Sequence, residues 1–171
     1  TARYTRVDGR NHGPYERFYA NGQRREQGTY HRGQRHGTWQ QWHENGQREL
    51  TATYGNGRYH GEAIRYFDNG QAQYEVTFDN GSLTGQWTHY WRNGNRRAQG
   101  QTTGFSQNVI ALPNRQGPWT EWPENGTVAY EVGYVDNAAN GPATSYFADG
   151  QPQYRATFNN GWLTGEWTQY W

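Results

Sequence analysis

The sequence predicts an all-β protein, an elongated single-layer antiparallel β-meander of about six 24-residue hairpin repeats with no helices. Three observations carry this. First, residues 61–84 (GEAIRYFDNGQAQYEVTFDNGSLT) return eighty positions later at 141–164, with 14 of 24 residues identical, most of them glycine, aromatic or turn residues. Second, Asn-Gly or Asp-Gly pairs stand at 21–22, 45–46, 69–70, 93–94, 125–126 and 149–150. A further set, Asn56-Gly57, Asn80-Gly81 and Asn160-Gly161, comes 11 residues later. Third, the runs between these turns have strand length and are rich in Tyr, Trp, Phe, Thr and Val, the composition of β-strands.

The elements run in order along the chain. Residues 1–12 read as a half-repeat. Full repeats occupy 13–36, 37–60, 61–84, 85–116, 117–140 and 141–164, and a last half-repeat occupies 165–171. The spacing between repeat-start glycines is 24 throughout, except for 32 between Gly85 and Gly117, where about 104–113 is inserted. Fixed periods of this size mark repeat architectures. Asn-Gly suits a type I′ hairpin, because both central residues need positive φ. In the second strand of a repeat, Tyr74, Val76 and Phe78 alternate with Gln73, Glu75 and Thr77. In the first strand, Tyr66-Phe67, Tyr90-Trp91 and Tyr146-Phe147 place adjacent rings, which must point to opposite faces.

Composition narrows the function classes. Four Leu, two Ile and six Val cannot build a thick aliphatic core, whereas 29 Trp, Tyr and Phe can build a thin one of ring against ring. All 16 basic residues are Arg, and Lys, Cys and Met are absent. Without Cys there is no disulfide or thiol chemistry to consider. A net charge of +1 makes no case for nucleic acid, which calls for a basic patch. No apolar run approaches the roughly 18 residues of a membrane span, and no signal-peptide pattern remains, so membrane insertion is not expected. The lack of Lys and Met fits an extracellular or cell-surface life; it fits an Arg-preferring, GC-rich genome as well.

The pattern G-x-W-x-x-W-x-x-N-G…Y-x-x-G-x-x-x-G, whole in residues 37–61, resembles the membrane occupation and recognition nexus (MORN) repeat. It is most similar to the bacterial variant found in antitoxin-like and secreted proteins, and the likeness spans essentially the whole chain. The pattern is broken at 101–116, where Thr102 replaces an aromatic, and at Ala138, which replaces a turn glycine. The resemblance implies an elongated, twisted single-layer sheet and no catalytic residues. Tyrosine-aspartate shell repeats share the aromatic and hairpin flavour but lack the second Gly-x-x-x-Gly.

Among candidate sites, His12, His36 and His60 share one repeat position. Equivalent positions lie two strands apart, about 9–10 Å, too far for one ion with bonds of about 2 Å, so a ladder of turn-flanking residues is expected. Glu44, Glu62, Asp68, Glu75, Asp79, Glu124 and Glu131 are dispersed and supply no unique acid pair in a cleft, the arrangement a glycosidase needs. No enzymatic activity, metal or cofactor is expected.

The aromatic rows offer a partner-binding surface, in particular Trp39, Trp42, Trp87, Trp91, Trp119 and Trp122, because Tyr, Trp and Arg dominate interface hot spots. Cross-strand ring packing accounts for the same rows. The insertion holds Phe105, Val109, Ile110 and Leu112, as a cap or a docking loop. Asn80 and Asn125 head glycosylation sequons that coincide with turns. Finally, the sequence starts and stops within a repeat, so terminal strands with open edges are expected to template pairing. Ala2, Tyr4 and Thr5 at one end and Trp167, Tyr170 and Trp171 at the other are expected to mediate head-to-tail self-assembly into a filament. The alternatives are a cytoplasmic antitoxin-like scaffold that binds another protein, and a carbohydrate-binding surface.

Overall fold

The computed structural model describes residues 2–105 and 114–171. The inserted Val109, Ile110 and Leu112 lie outside the described residues, as does the side chain of Phe105. Every regular element among the described residues is a strand, and the strands form an open antiparallel sheet in sequence order, except that the last two short strands both pair with the strand before them. The all-β meander read from the sequence is therefore the observed fold.

The chain divides into two compact units, with the boundary after Leu83. The first holds β1 (Ala2–Val7), β2 (Arg10–Phe18), β3 (Arg24–His31), β4 (Gln34–Trp42), β5 (Arg48–Gly55), β6 (Arg58–Tyr66) and β7 (Ala72–Asp79). The second begins within β8 (Ser82–Tyr90). It continues through β9 (Arg96–Phe105), β10 (Asn114–Glu121), β11 (Tyr130–Val135), β12 (Ala138–Tyr146), β13 (Pro152–Asn159), β14 (Trp162–Leu163) and β15 (Thr168–Gln169).

Two kinds of turn alternate, and only one is the type expected. At the 11-residue offset, Asn56 (φ 50) and Gly57 (φ 79), like Asn80 and Gly81, have both central residues in the left-handed region, as a type I′ turn requires. The other set differs. Gly22 is left-handed (φ 86) but Asn21 is not; Gly22 N–H donates to the Tyr19 carbonyl at 3.1 Å, and Tyr19 N–H to the Gln23 carbonyl at 2.8 Å. This is a three-residue loop, 20–22, built on a type I turn and closed by a left-handed glycine. Asn is used here for its side chain, since Asn21 Oδ1 accepts from Gln23 N–H at 2.9 Å, an Asx turn. The same bond recurs at Asn45, Asn69 and Asn93.

Strands also run through the repeat starts. Gly37 (φ 67) sits within β4, where the register against β3 slips between Gln27↔Gln40 and Thr29↔His36. It is a bulge glycine, left-handed without a Cβ penalty.

Each unit packs one aromatic row. In the first, Trp39 touches Tyr15 (5.5 Å between centroids), Tyr30 (4.8 Å) and Tyr54 (6.2 Å), and the row continues through Tyr59 to Phe78. Ala52, Ala63 and Val76 are buried around it. Size is matched across strands: a Cβ on Gly28 would stand 2.2 Å from the Trp39 ring, and one on Gly100 would stand 2.3 Å from the Trp119 ring. In both places the indole N–H donates at 3.1 Å to a backbone carbonyl, Thr29 for Trp39 and Gln101 for Trp119. Such ring pairs contribute about 0.5–1.5 kcal/mol beyond area burial.

Candidate interaction surface

Trp39, Trp87 and Trp119, expected on a partner-binding surface, are buried, packed against neighbouring rings within their own units. Trp87 and Trp119 pack against each other in a tilted pair, 5.4 Å between centroids. Trp42, Trp91 and Trp122 are half-buried at the turn edge and serve the ladder between repeats. Trp91 Nε1 donates to the Trp122 carbonyl at 2.9 Å, as Tyr19 Oη donates to the Trp42 carbonyl at 2.6 Å. Asn side chains add rungs: Asn45 Nδ2 donates to the Asp68 carbonyl at 2.7 Å and Asn93 Nδ2 to the Glu124 carbonyl at 3.0 Å. Arg24 lies over Trp42 and Arg97 over Trp91, at 5.4 and 4.4 Å, cation–π contacts of modest strength where exposed.

A charged cluster closes the first row from above. Arg35 stacks 4.3 Å over Trp39, donates to Tyr54 Oη at 3.1 Å and pairs with buried Glu26 at 2.5 Å. Gln41 Nε2 donates to the same carboxylate oxygen at 3.1 Å. The cluster is satisfied internally, which is what allows a carboxylate to be buried. Burial pushes the neighbouring Tyr59 phenol well above its ordinary pKa.

The final repeat is different. Leu83 and Trp87 are 4% and 6% exposed, but the residues at the same repeat positions, Leu163 and Trp167, are each 49% exposed. Trp162 is 78% exposed and Trp171 fully so, and Tyr170 is open at the same edge. β8 runs unbroken for nine residues. Its counterpart is two short pieces, held to β13 at Phe158↔Leu163 and Asn159↔Trp162 and again at Tyr154↔Gln169 and Arg155↔Thr168. Trp167 keeps one ring contact, edge-on to Tyr154 at 5.4 Å. Beside it a hollow of about 840 Å³ opens between Phe147, Pro152, Tyr170 and Trp171. At β1, Ala2, Tyr4 and Thr5 are exposed too, with Tyr4 stacked on Tyr15 at 6.4 Å.

Trp162 is a residue that sequence reasoning missed, although a signal existed: Gln34, Arg58 and Ser82 stand at its position in other repeats, and a lone Trp among polar residues is out of pattern. A second hollow, about 510 Å³, lies in the second unit between Pro118, Thr120, Val135, Asn140 and Pro142. It is shaped by Gly133, whose hydrogen faces the Asn140 carbonyl where a Cβ would stand 2.3 Å away. Among the described residues, no three His, Asp or Glu side chains converge as a metal centre.

Comparison with known families agrees with this geometry. The MORN repeat variant matches at residues 11–32, 35–56, 59–80 and 139–160, just over half the chain. The unmatched stretch contains Thr102, the insertion and Ala138, the places where the repeat pattern is broken. No curated protein matches the chain.

Proposed function

The chain belongs to the MORN repeat variant family, and on that premise we propose that it is a non-enzymatic interaction scaffold that assembles head to tail with copies of itself, at a cell surface or outside the cell. The observation that carries this reading is the contrast between Trp87 and Trp167. Two copies of one sequence pattern, GQWTHYW and GEWTQYW, differ in burial, Trp87 being 6% exposed and Trp167 49%. The exposed copy carries open indoles on short strand pieces, a surface that β-strand addition by a second copy would pack. The partner strand would be β1, which carries Tyr4 in the same kind of row. A contact between unlike ends propagates into a filament when it does not close into a ring. The location is supported by composition: the chain has no Lys or Met.

A following repeat in a longer polypeptide would cover the same edge, so the test is made on the complete natural chain. Negative-stain microscopy over a concentration series is expected to show rods lengthening with concentration. Rods of one length at every concentration would overturn self-assembly.

A second reading, a scaffold for a different protein, is favoured by the hollow between Pro118, Val135 and Pro142. Its apolar walls and few polar groups suit a partner side chain. A partner captured by the wild type and lost in Val135→Asp would identify it.

A further inference from the structure

We propose that His12 and His31 form a two-imidazole site for a transition-metal dication such as Cu²⁺, Ni²⁺ or Zn²⁺ on the first unit, with His36 as the alternative partner of His31. The repeat frame alone spaces His12, His36 and His60 too widely to share an ion. The structure inserts His31, from a different repeat position, between the first two. His12 near the start of β2 and His31 at the end of β3 have ring centroids 5.3 Å apart, and His31 and His36 have theirs 5.9 Å apart.

These separations fit a shared ion. With metal–nitrogen bonds of about 2.0–2.1 Å and each ring centre about 1.1 Å behind its nitrogen, two imidazoles on a tetrahedral ion hold their centres about 5.2 Å apart. A linear arrangement would place them about 6.4 Å apart by the same bond lengths. Both observed distances fall between these limits, so rotation that turns one nitrogen of each ring towards the other would complete the pair. Such rotation is available, because His31 and His36 are exposed and His12 half-exposed.

Nor are the ring nitrogens committed elsewhere. The one hydrogen bond in the row is from Arg32 N–H to His12 Nδ1, at 3.5 Å, the outer limit for such a bond. His60 shows the contrast at the same repeat position: it faces Asp79, with 3.3 Å between Nδ1 and Oδ1, and no second imidazole. The His–His pairing is therefore particular to the first repeats.

Arg10 and Arg32 line a hollow with His12, and Asp8 lines it with them. The two guanidinium groups weaken a cation there and Asp8 favours it. The site therefore selects ions that bind imidazole strongly, copper first in the usual divalent order, over hard cations that depend on charge.

Calorimetric titration with CuCl₂ at neutral pH tests the site, using the whole chain and three single variants of exposed or half-exposed histidines. The expected result is a site of one ion per chain that weakens tenfold or more in His31→Ala, weakens less in His12→Ala because His36 remains, and stays within twofold in His60→Ala. Electron paramagnetic resonance of the copper-loaded wild type should show two coordinating nitrogens, falling to one in the double variant His12→Ala/His36→Ala. Binding equal in the wild type and His31→Ala, or lost only in His60→Ala, would overturn the proposal and leave adventitious surface copper.

Discussion

The segment around Trp87 and the segment around Trp167 are nearly the same text in different surroundings. Trp87 is packed against Trp119 of the next repeat and is buried; Trp167 has Tyr154 on one side and open solvent on the other. The strand carrying Trp87 is continuous, whereas Trp167 lies in the gap between the short strands β14 and β15. The difference teaches that a repeat of this kind encodes its turns and its register, but not its own burial. Each strand borrows half of its packing from the next strand in the sheet, as in other repeat arrays whose stability is a sum of nearest-neighbour terms.

The largest expected effect separates the two segments directly. Trp87→Ala should cost about 3–5 kcal/mol in urea unfolding, the range for deleting a buried large aromatic. Trp167→Ala should cost under about 1.5 kcal/mol, since half of its surface is already in water. Equal losses would break the comparison.

Next comes the fit of ring to glycine. Gly28→Ala drives a methyl group into the Trp39 ring and should cost about 1–3 kcal/mol or more through overpacking. At the same repeat position the final copy already carries Ala156, which is only half-buried, so Ala156→Gly should change stability by no more than about 1 kcal/mol, its backbone term.

A smaller effect concerns the turns. Asn45→Ala removes the Asx bond to Gln47 N–H and the rung to the Asp68 carbonyl, and should cost about 1–2 kcal/mol at roughly 0.5–1.5 kcal/mol per bond. Asp149→Ala in the final copy removes only the bond to Gln151 N–H and should cost about half as much. Chemical denaturation of the two variants compares them.

The smallest effect is one of pH. Burial, with Arg97 nearby, lowers the pKa of His89 from 6.5 to about 4. The unfolded chain takes up that proton near its ordinary value while the folded chain resists it. The contribution is therefore complete above pH 6.5 and lost as pH falls towards about 4. The melting temperature should drop through this window, and by less in His89→Gln, which carries no proton to gain.

Much of this was legible in the residues. Repeated Asn-Gly pairs and the alternation of Tyr74, Val76 and Phe78 specify strands and their order, because turn chemistry and face polarity are local. What a residue does inside a turn was less legible. Asn21 and Asn56 both precede glycine, yet one caps with its side chain and the other turns with its backbone. The choice depends on loop length, which the dipeptide alone does not carry. Gly37 reads as a turn residue but acts as a bulge, since only pairing reveals a register slip. Burial was least legible. Trp39 and Trp167 share a repeat position, and nothing in their immediate neighbours distinguishes the packed ring from the open one. His31 escaped notice for a related reason, as it joins His12 and His36 only once strands from different repeat positions are laid side by side.

The central proposal is that the exposed segment around Trp167 packs against a second copy. Sedimentation equilibrium of the complete natural chain, beside its Trp167→Arg variant, tests it most directly. The account predicts an average mass that rises with concentration for the wild type and stays at one chain for the variant, whose charge cannot enter a packed aromatic row. A wild type that remains at the mass of one chain at every concentration would contradict it.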